Sequence, residues 1–169
     1  MGSEMCIRDR PSTPSPTSRR RCGRRTARQE AIIAAPVADL WAVLVDFAKY
    51  PTWARDLKQV EVLERDDEGR GLEVLYRAAA MGRSTTYVLR YDYADAPNRL
   101  PWRLVRGDIM RRLDGAYTLS PVAGDPSKTD VVYELEVELV IPLPGFVKHR
   151  AEHKIMHTAL RELKTFAEG

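Results

Sequence analysis

The chain has 169 residues, 44% of them hydrophobic and 30% charged, enough for one domain with a substantial core and too few for two. Its net charge of +3 is unevenly spread: residues 1–28 hold eight arginines against Glu4 and Asp9, which leaves residues 29–169 at −3. The body thus gives no electrostatic case for a nucleic-acid partner, and because Cys6 and Cys22 both precede it, it excludes a disulfide framework, a cysteine nucleophile and a thiolate metal site.

Residues 1–26 read as a disordered basic tail, too poor in apolar groups to offset the entropy of ordering. The opening "MCIRDR" looks like the translation of a transposon end used in preparing sequencing libraries, so part of the tail is expected to be an artefact. Arg24 and Arg25 precede an apolar run, but Pro36 and Asp39 interrupt it. Without an export signal or a run of about 20 apolar residues, the expected location is cytoplasmic.

"ARQEAIIA" at 27–34 alternates as a short strand and is stopped by Pro36, a residue suited to the first turn of a helix. Val37, Leu40, Trp41, Leu44 and Val45 then recur at helical spacing over 36–47. Pro51 breaks that helix, and Trp53 packs a short second one. From residue 57 the period becomes two. "LKQVEVLERD" and "GLEVLYRAAAM" flank a charged turn; "STTYVLRYDYAD" sets Thr85, Tyr87, Leu89, Tyr91 and Tyr93 on one face; "RLPWRLVRGD" and "IMRRLDGAYTLSP" follow. In "TDVVYELEVELVIPLPG" Val131, Tyr133, Leu135, Val137, Leu139 and Ile141 face one way, and Glu134, Glu136 and Glu138 the other, as in a sheet wet on one side only. Gly145 onward is helical to the end. The expected fold class is α+β: a meander of six to seven antiparallel strands whose apolar face only the terminal helix is long enough to cover.

"APVADLWAVLVDFAKYPTW" at 35–53, "RGDIMRRLDGAYTLSP" at 106–121, "TDVVYELEVEL" at 129–139 and the terminal helix at 141–168 resemble the START-like helix-grip superfamily, also called SRPBCC. Within it they are most similar to the polyketide cyclase/dehydrase and coenzyme Q-binding group. The resemblance spans residues 27–169. It implies a curved sheet gripping the last helix around a deep apolar cavity. It does not specify a chemistry, since such relatives include lipid carriers, sensors and cyclases.

Three histidines, His149, His153 and His157, recur every four residues on the terminal helix. On a helical wheel the buried arc is Ile155, Phe166, Ala159, Leu163, Met156, Ala167 and Leu160. His149 falls just inside it, His153 at its edge and His157 on the polar side, so no metal site is expected. Glu152 lies in the middle of the arc, where a carboxylate requires compensation. Two uses are open to it: contact with a ligand or acid/base work in the cavity, or a buried structural pair. Arg111 shares the parity of Ile109, Leu113, Tyr117 and Leu119 and is a candidate partner, inward-facing or reaching out at the rim. Arg106 is a weaker candidate of the same kind. Tyr76, Tyr87, Tyr91, Trp102, Tyr117 and Tyr133 share inward parity, as core or as cavity wall.

The candidate ligand-binding set is therefore Tyr76, Tyr87, Tyr91, Trp102, Arg111, Tyr117, Tyr133, His149, Glu152 and Met156, with Glu152 and Arg111 the catalytic candidates. No cofactor is expected. The leading function is binding, transport or sensing of a hydrophobic small molecule such as a lipid, an isoprenoid quinone or a polyketide, with transient membrane contact open. The alternative is a cyclase/aromatase or dehydratase using Glu152 as acid/base. A third, which the resemblance implies, is a chaperone-like or ribosome-associated role.

Overall fold

The structure is a computed structural model that describes residues 26–80, 82–141 and 143–169. Apart from Thr26, the expected tail and both cysteines lie outside the described residues. Strand β1 (Ala27–Ile33) leads through Pro36 into α1 (Val37–Val45), a short 3-10 turn (Phe47–Lys49) and α2 (Tyr50–Trp53). Six strands follow: β2 (Leu57–Arg65), β3 (Gly71–Ala80), β4 (Arg83–Tyr91), β5 (Arg99–Gly107), β6 (Met110–Val122) and β7 (Asp125–Leu139). The chain ends in α3 (Gly145–Glu168), and among the described residues no helix is long and apolar enough to cross a membrane.

All strands pair antiparallel in one sheet of order β1-β7-β6-β5-β4-β3-β2. Short turns explain the run from β2 to β7, and β1 returns to pair with β7 at the far edge. Alternation sets the faces. On β7, Thr129, Val131, Tyr133, Leu135 and Val137 are buried on the concave side. Their neighbours face outward, where Glu134 meets Arg99, and Glu136 and Glu138 approach Arg112. The one-sided sheet read from the sequence is thus present, with ion pairs across its wet face.

Helix α3 lies over β1 and β7 and buries Glu152, Met156, Leu160 and Leu163. Ile155 and Phe166, expected on the buried arc, are 38% and 42% exposed. The covered stripe is narrower than the wheel suggests, because α3 meets the sheet along one edge. Hydrogen bonds fix it there. Lys164 Nζ donates to the Ile32 carbonyl at 2.9 Å, the Ala34 N–H donates to the Glu168 carboxylate at 2.8 Å, and Gln29 Nε2 meets the His153 carbonyl at 3.1 Å. Leu40 and Leu44 of α1 are fully buried, and the Tyr50 hydroxyl donates to the Leu44 carbonyl. With α3 committed to one edge, the concave face of β3, β4, β5 and β6 is left for side chains or a ligand to fill.

Candidate ligand-binding cavity

Aromatic rings occupy most of that concave face. Tyr76 and Tyr87 stack with centroids 5.4 Å apart, Trp102 lies 5.5 Å from Tyr117 and 5.7 Å from Tyr133, and Tyr117 and Tyr133, cross-strand partners, are 4.6 Å apart. One glycine makes this possible: a Cβ on Gly115 would stand 2.7 Å from Trp102 Cζ2, so only glycine lets the indole lie against β6. The rings still leave a cavity of about 190 Å³. Its walls come from the sheet, from Tyr50, Trp53, Ala54 and Leu57 on one side, and from Ile155, Thr158 and Ala159 of α3.

Several polar groups in the wall have partners. The Tyr76 and Tyr91 hydroxyls share a 2.5 Å hydrogen bond, and Thr85 Oγ1 donates to Asp108 Oδ1 at 2.5 Å. That bond from Thr85 holds the Asp108 carboxyl below its ordinary range. The hydroxyls of Tyr87, Tyr117 and Tyr133 make no hydrogen bond to a described residue, yet none is sealed from the cavity. Burial pushes the Tyr50, Tyr76, Tyr91, Tyr117 and Tyr133 phenols well above the usual tyrosine value, so each remains a neutral hydroxyl. Among the described residues, charge in the lining is confined to Asp56 and Glu162. Glu162 accepts the Arg55 N–H at 3.2 Å and lies 3.7 Å from Arg55 Nε, tying α3 to the α2–β2 link, where Trp53 also stacks on Phe166.

A search of solved structures finds the same architecture. A START superfamily protein from Mycobacterium smegmatis superposes with a TM-score of 0.80 at 22% identity, covering 85% of this chain and 97% of that one. The Zhui aromatase/cyclase from a Streptomyces species gives 0.74 at 18% identity, with 85% and 93% covered. A STAR-related lipid transfer protein from Xanthomonas axonopodis gives 0.65 at 20% identity, with 85% and 86% covered. At these identities the likeness establishes the fold. No curated protein matches by sequence. The family model described as polyketide cyclase/dehydrase and lipid transport matches residues 24–168. This chain belongs to the polyketide cyclase/dehydrase and lipid transport family.

In this family member the structure gathers Tyr76, Tyr87, Tyr91, Trp102, Tyr117 and Tyr133 around one cavity and leaves the other candidates outside it. Arg111 does not face inward. A bulge between Met110 and Arg112 inserts one extra residue into β6 opposite Leu139 and Glu138, which turns Met110 to the cavity and Arg111 to solvent. Arg106 is exposed as well. His149 is exposed rather than inside the arc, with Nδ1 3.9 Å from Glu152 Oε1. Met156 is buried under α3 but does not reach the cavity. His153 faces Gln29, 2.8 Å from its Nε2, and stacks on His157.

Glu152 is buried to 1% exposure, as its place on the wheel requires, but does not line the cavity. Its Oε2 accepts the Val137 N–H at 3.2 Å, with Lys148 Nζ at 4.0 Å. The described pairing of β1 begins at Ala27 opposite Leu135, so Val137 lies past its last described partner there, and the carboxylate accepts from that backbone group. The compensation is structural.

Proposed function

We propose that this protein binds a hydrophobic small molecule in the cavity between the concave sheet and α3, as a carrier or a sensor. The observation that carries the reading is the space itself: about 190 Å³ of apolar-walled volume remains although eight tyrosine and tryptophan side chains crowd its wall. An apolar cavity of about 150 Å³ is already enough to take up benzene. Larger ligands require the α3 side to move. The family and its fold neighbours, among them a lipid transfer protein and an aromatase/cyclase, support a bound apolar ligand. The positions of Glu152 and Arg111 outside the cavity weigh against the particular acid/base pair read from the sequence, and binding without chemistry is the reading adopted.

Titration with the neutral fluorophore phenylnaphthylamine is the direct test. Saturable enhancement at one molecule per chain, reversed by an apolar competitor, is the expected result. A folded protein that shows no saturable uptake of any neutral aromatic compound rejects the reading.

A further inference from the structure

We infer that the ligand carries an uncharged oxygen function, a ketone, ether or hydroxyl, and that the Tyr117 and Tyr133 hydroxyls hold it at the far wall of the cavity. The inference rests on the binding reading above and specifies its chemistry. Tyr117 and Tyr133 sit on β6 and β7, at the opposite side of the sheet from β2 and the Ala54–Leu57 wall. They are only 8% and 6% exposed, their rings are 4.6 Å apart, and neither hydroxyl has a partner among the described residues. Both side chains line the cavity and neither hydroxyl oxygen is sealed from it, so each is open to a group that enters the cavity.

The contrast within the same wall sharpens the point. Tyr76 and Tyr91 satisfy each other, Tyr50 is satisfied by a backbone carbonyl, and Thr85 by Asp108. Tyr87, Tyr117 and Tyr133 are left without a described partner, and of these the neighbouring pair on β6 and β7 brings two donors to the same apolar space. Trp102 lies against both rings and supplies a flat surface for an aromatic or alicyclic body. A charged oxygen is disfavoured: among the described lining residues there is no arginine, lysine or histidine, and the two charged ones, Asp56 and Glu162, are acidic. Burial raises the phenols, which keeps them as donors to a neutral acceptor.

Three naphthalenes of similar shape separate these contributions: acetylnaphthalene with a ketone, ethylnaphthalene with none, and naphthoate with a charge. Each is titrated into the wild type, into Tyr117→Phe, into Tyr133→Phe and into the double variant, which keep the rings in place. The double variant is expected to bind the ketone at least fivefold more weakly and the hydrocarbon as well as before or better, with each single variant in between. Hydrocarbon uptake itself reports that the variant cavity is intact, and if the double variant fails to fold the single variants decide. Equal changes for ketone and hydrocarbon overturn the inference and leave the binding reading standing. Naphthoate binding as tightly as the ketone at neutral pH overturns the uncharged assignment. Failure of the wild type to bind any of the three overturns the binding reading and this inference with it.

Discussion

The Glu152 carboxylate accepts the Val137 N–H at 3.2 Å, beyond the point where β1 stops pairing with β7. A side chain from α3 thus serves a backbone donor that the described part of β1 does not reach. Glu152→Leu removes the acceptor and leaves a buried donor unsatisfied, at a cost of about 2 kcal/mol in urea denaturation. Glu152→Gln keeps a carbonyl oxygen in place and is expected to lose less than half as much. Both variants are expected to take up phenylnaphthylamine like the wild type. Loss of uptake at unchanged stability returns Glu152 to the binding site.

Gly115 and Trp102 make a second tight pair. A methyl at Gly115 meets the indole at 2.7 Å and crowds the Glu134 carbonyl, a backbone atom that cannot swing away. Gly115→Ala is therefore expected to destabilise by about 2–3 kcal/mol, the upper range of overpacking costs. Because Trp102 contacts Tyr91, Tyr117 and Tyr133, displacing it also weakens uptake of the neutral fluorophore. Urea denaturation followed by tryptophan fluorescence reads both effects. A variant with wild-type stability and uptake contradicts the close approach.

The sequence made most of the fold legible, because period-two alternation on β4 and β7 and a long amphipathic terminal segment leave few ways to cover the sheet. The six aromatic wall residues followed from the same parity. Arg111 did not, since one bulge residue in β6 reverses the face of what precedes it, and alternation carries no mark of a bulge. Glu152 is buried where the wheel places it, and of the two uses open to it the geometry favours the structural one. A helical wheel gives the angle of a side chain but not which neighbour lies under it, here the part of β7 that runs past the described β1. Tyr50 and Met110 were missed for related reasons: the first opens a helix of only four residues, too short to show a period, and the second moves inward only through the bulge.

Filling the cavity tests where the ligand goes. Ala78, 7% exposed, faces the cavity from β3, and a larger apolar side chain there has space to enter. Ala78→Phe is expected to leave stability unchanged or to raise it by about 1 kcal/mol, as cavity-filling changes commonly do. Uptake of phenylnaphthylamine is expected to fall at least tenfold. Stability gained while uptake is lost identifies the filled space as the binding site; undiminished uptake places the ligand elsewhere.

Burial of five phenols makes stability depend on alkaline pH in a defined direction. Tyr50, Tyr76, Tyr91, Tyr117 and Tyr133 all have folded-state values raised well above the ordinary one near 10, chiefly by burial. Below about pH 10 these groups are neutral in both states and their contribution is constant. Above about pH 10 the unfolded chain releases phenolic protons that the folded chain retains, so the unfolded state gains and stability falls as pH rises. Each such phenol steepens the loss by up to about 1.4 kcal/mol per pH unit. The buried phenolates are therefore expected to appear in the ultraviolet spectrum together with loss of the circular dichroism signal, in one cooperative step. Tyr87 and Tyr93 are raised in the same direction, so replacing Tyr117 and Tyr133 by Phe removes two of seven groups, and the decline of stability above about pH 10 must become shallower by that share. A gradual phenolate titration centred near pH 10 in a still-folded protein shows instead that the rings exchange with solvent, and the cavity wall is then open rather than buried.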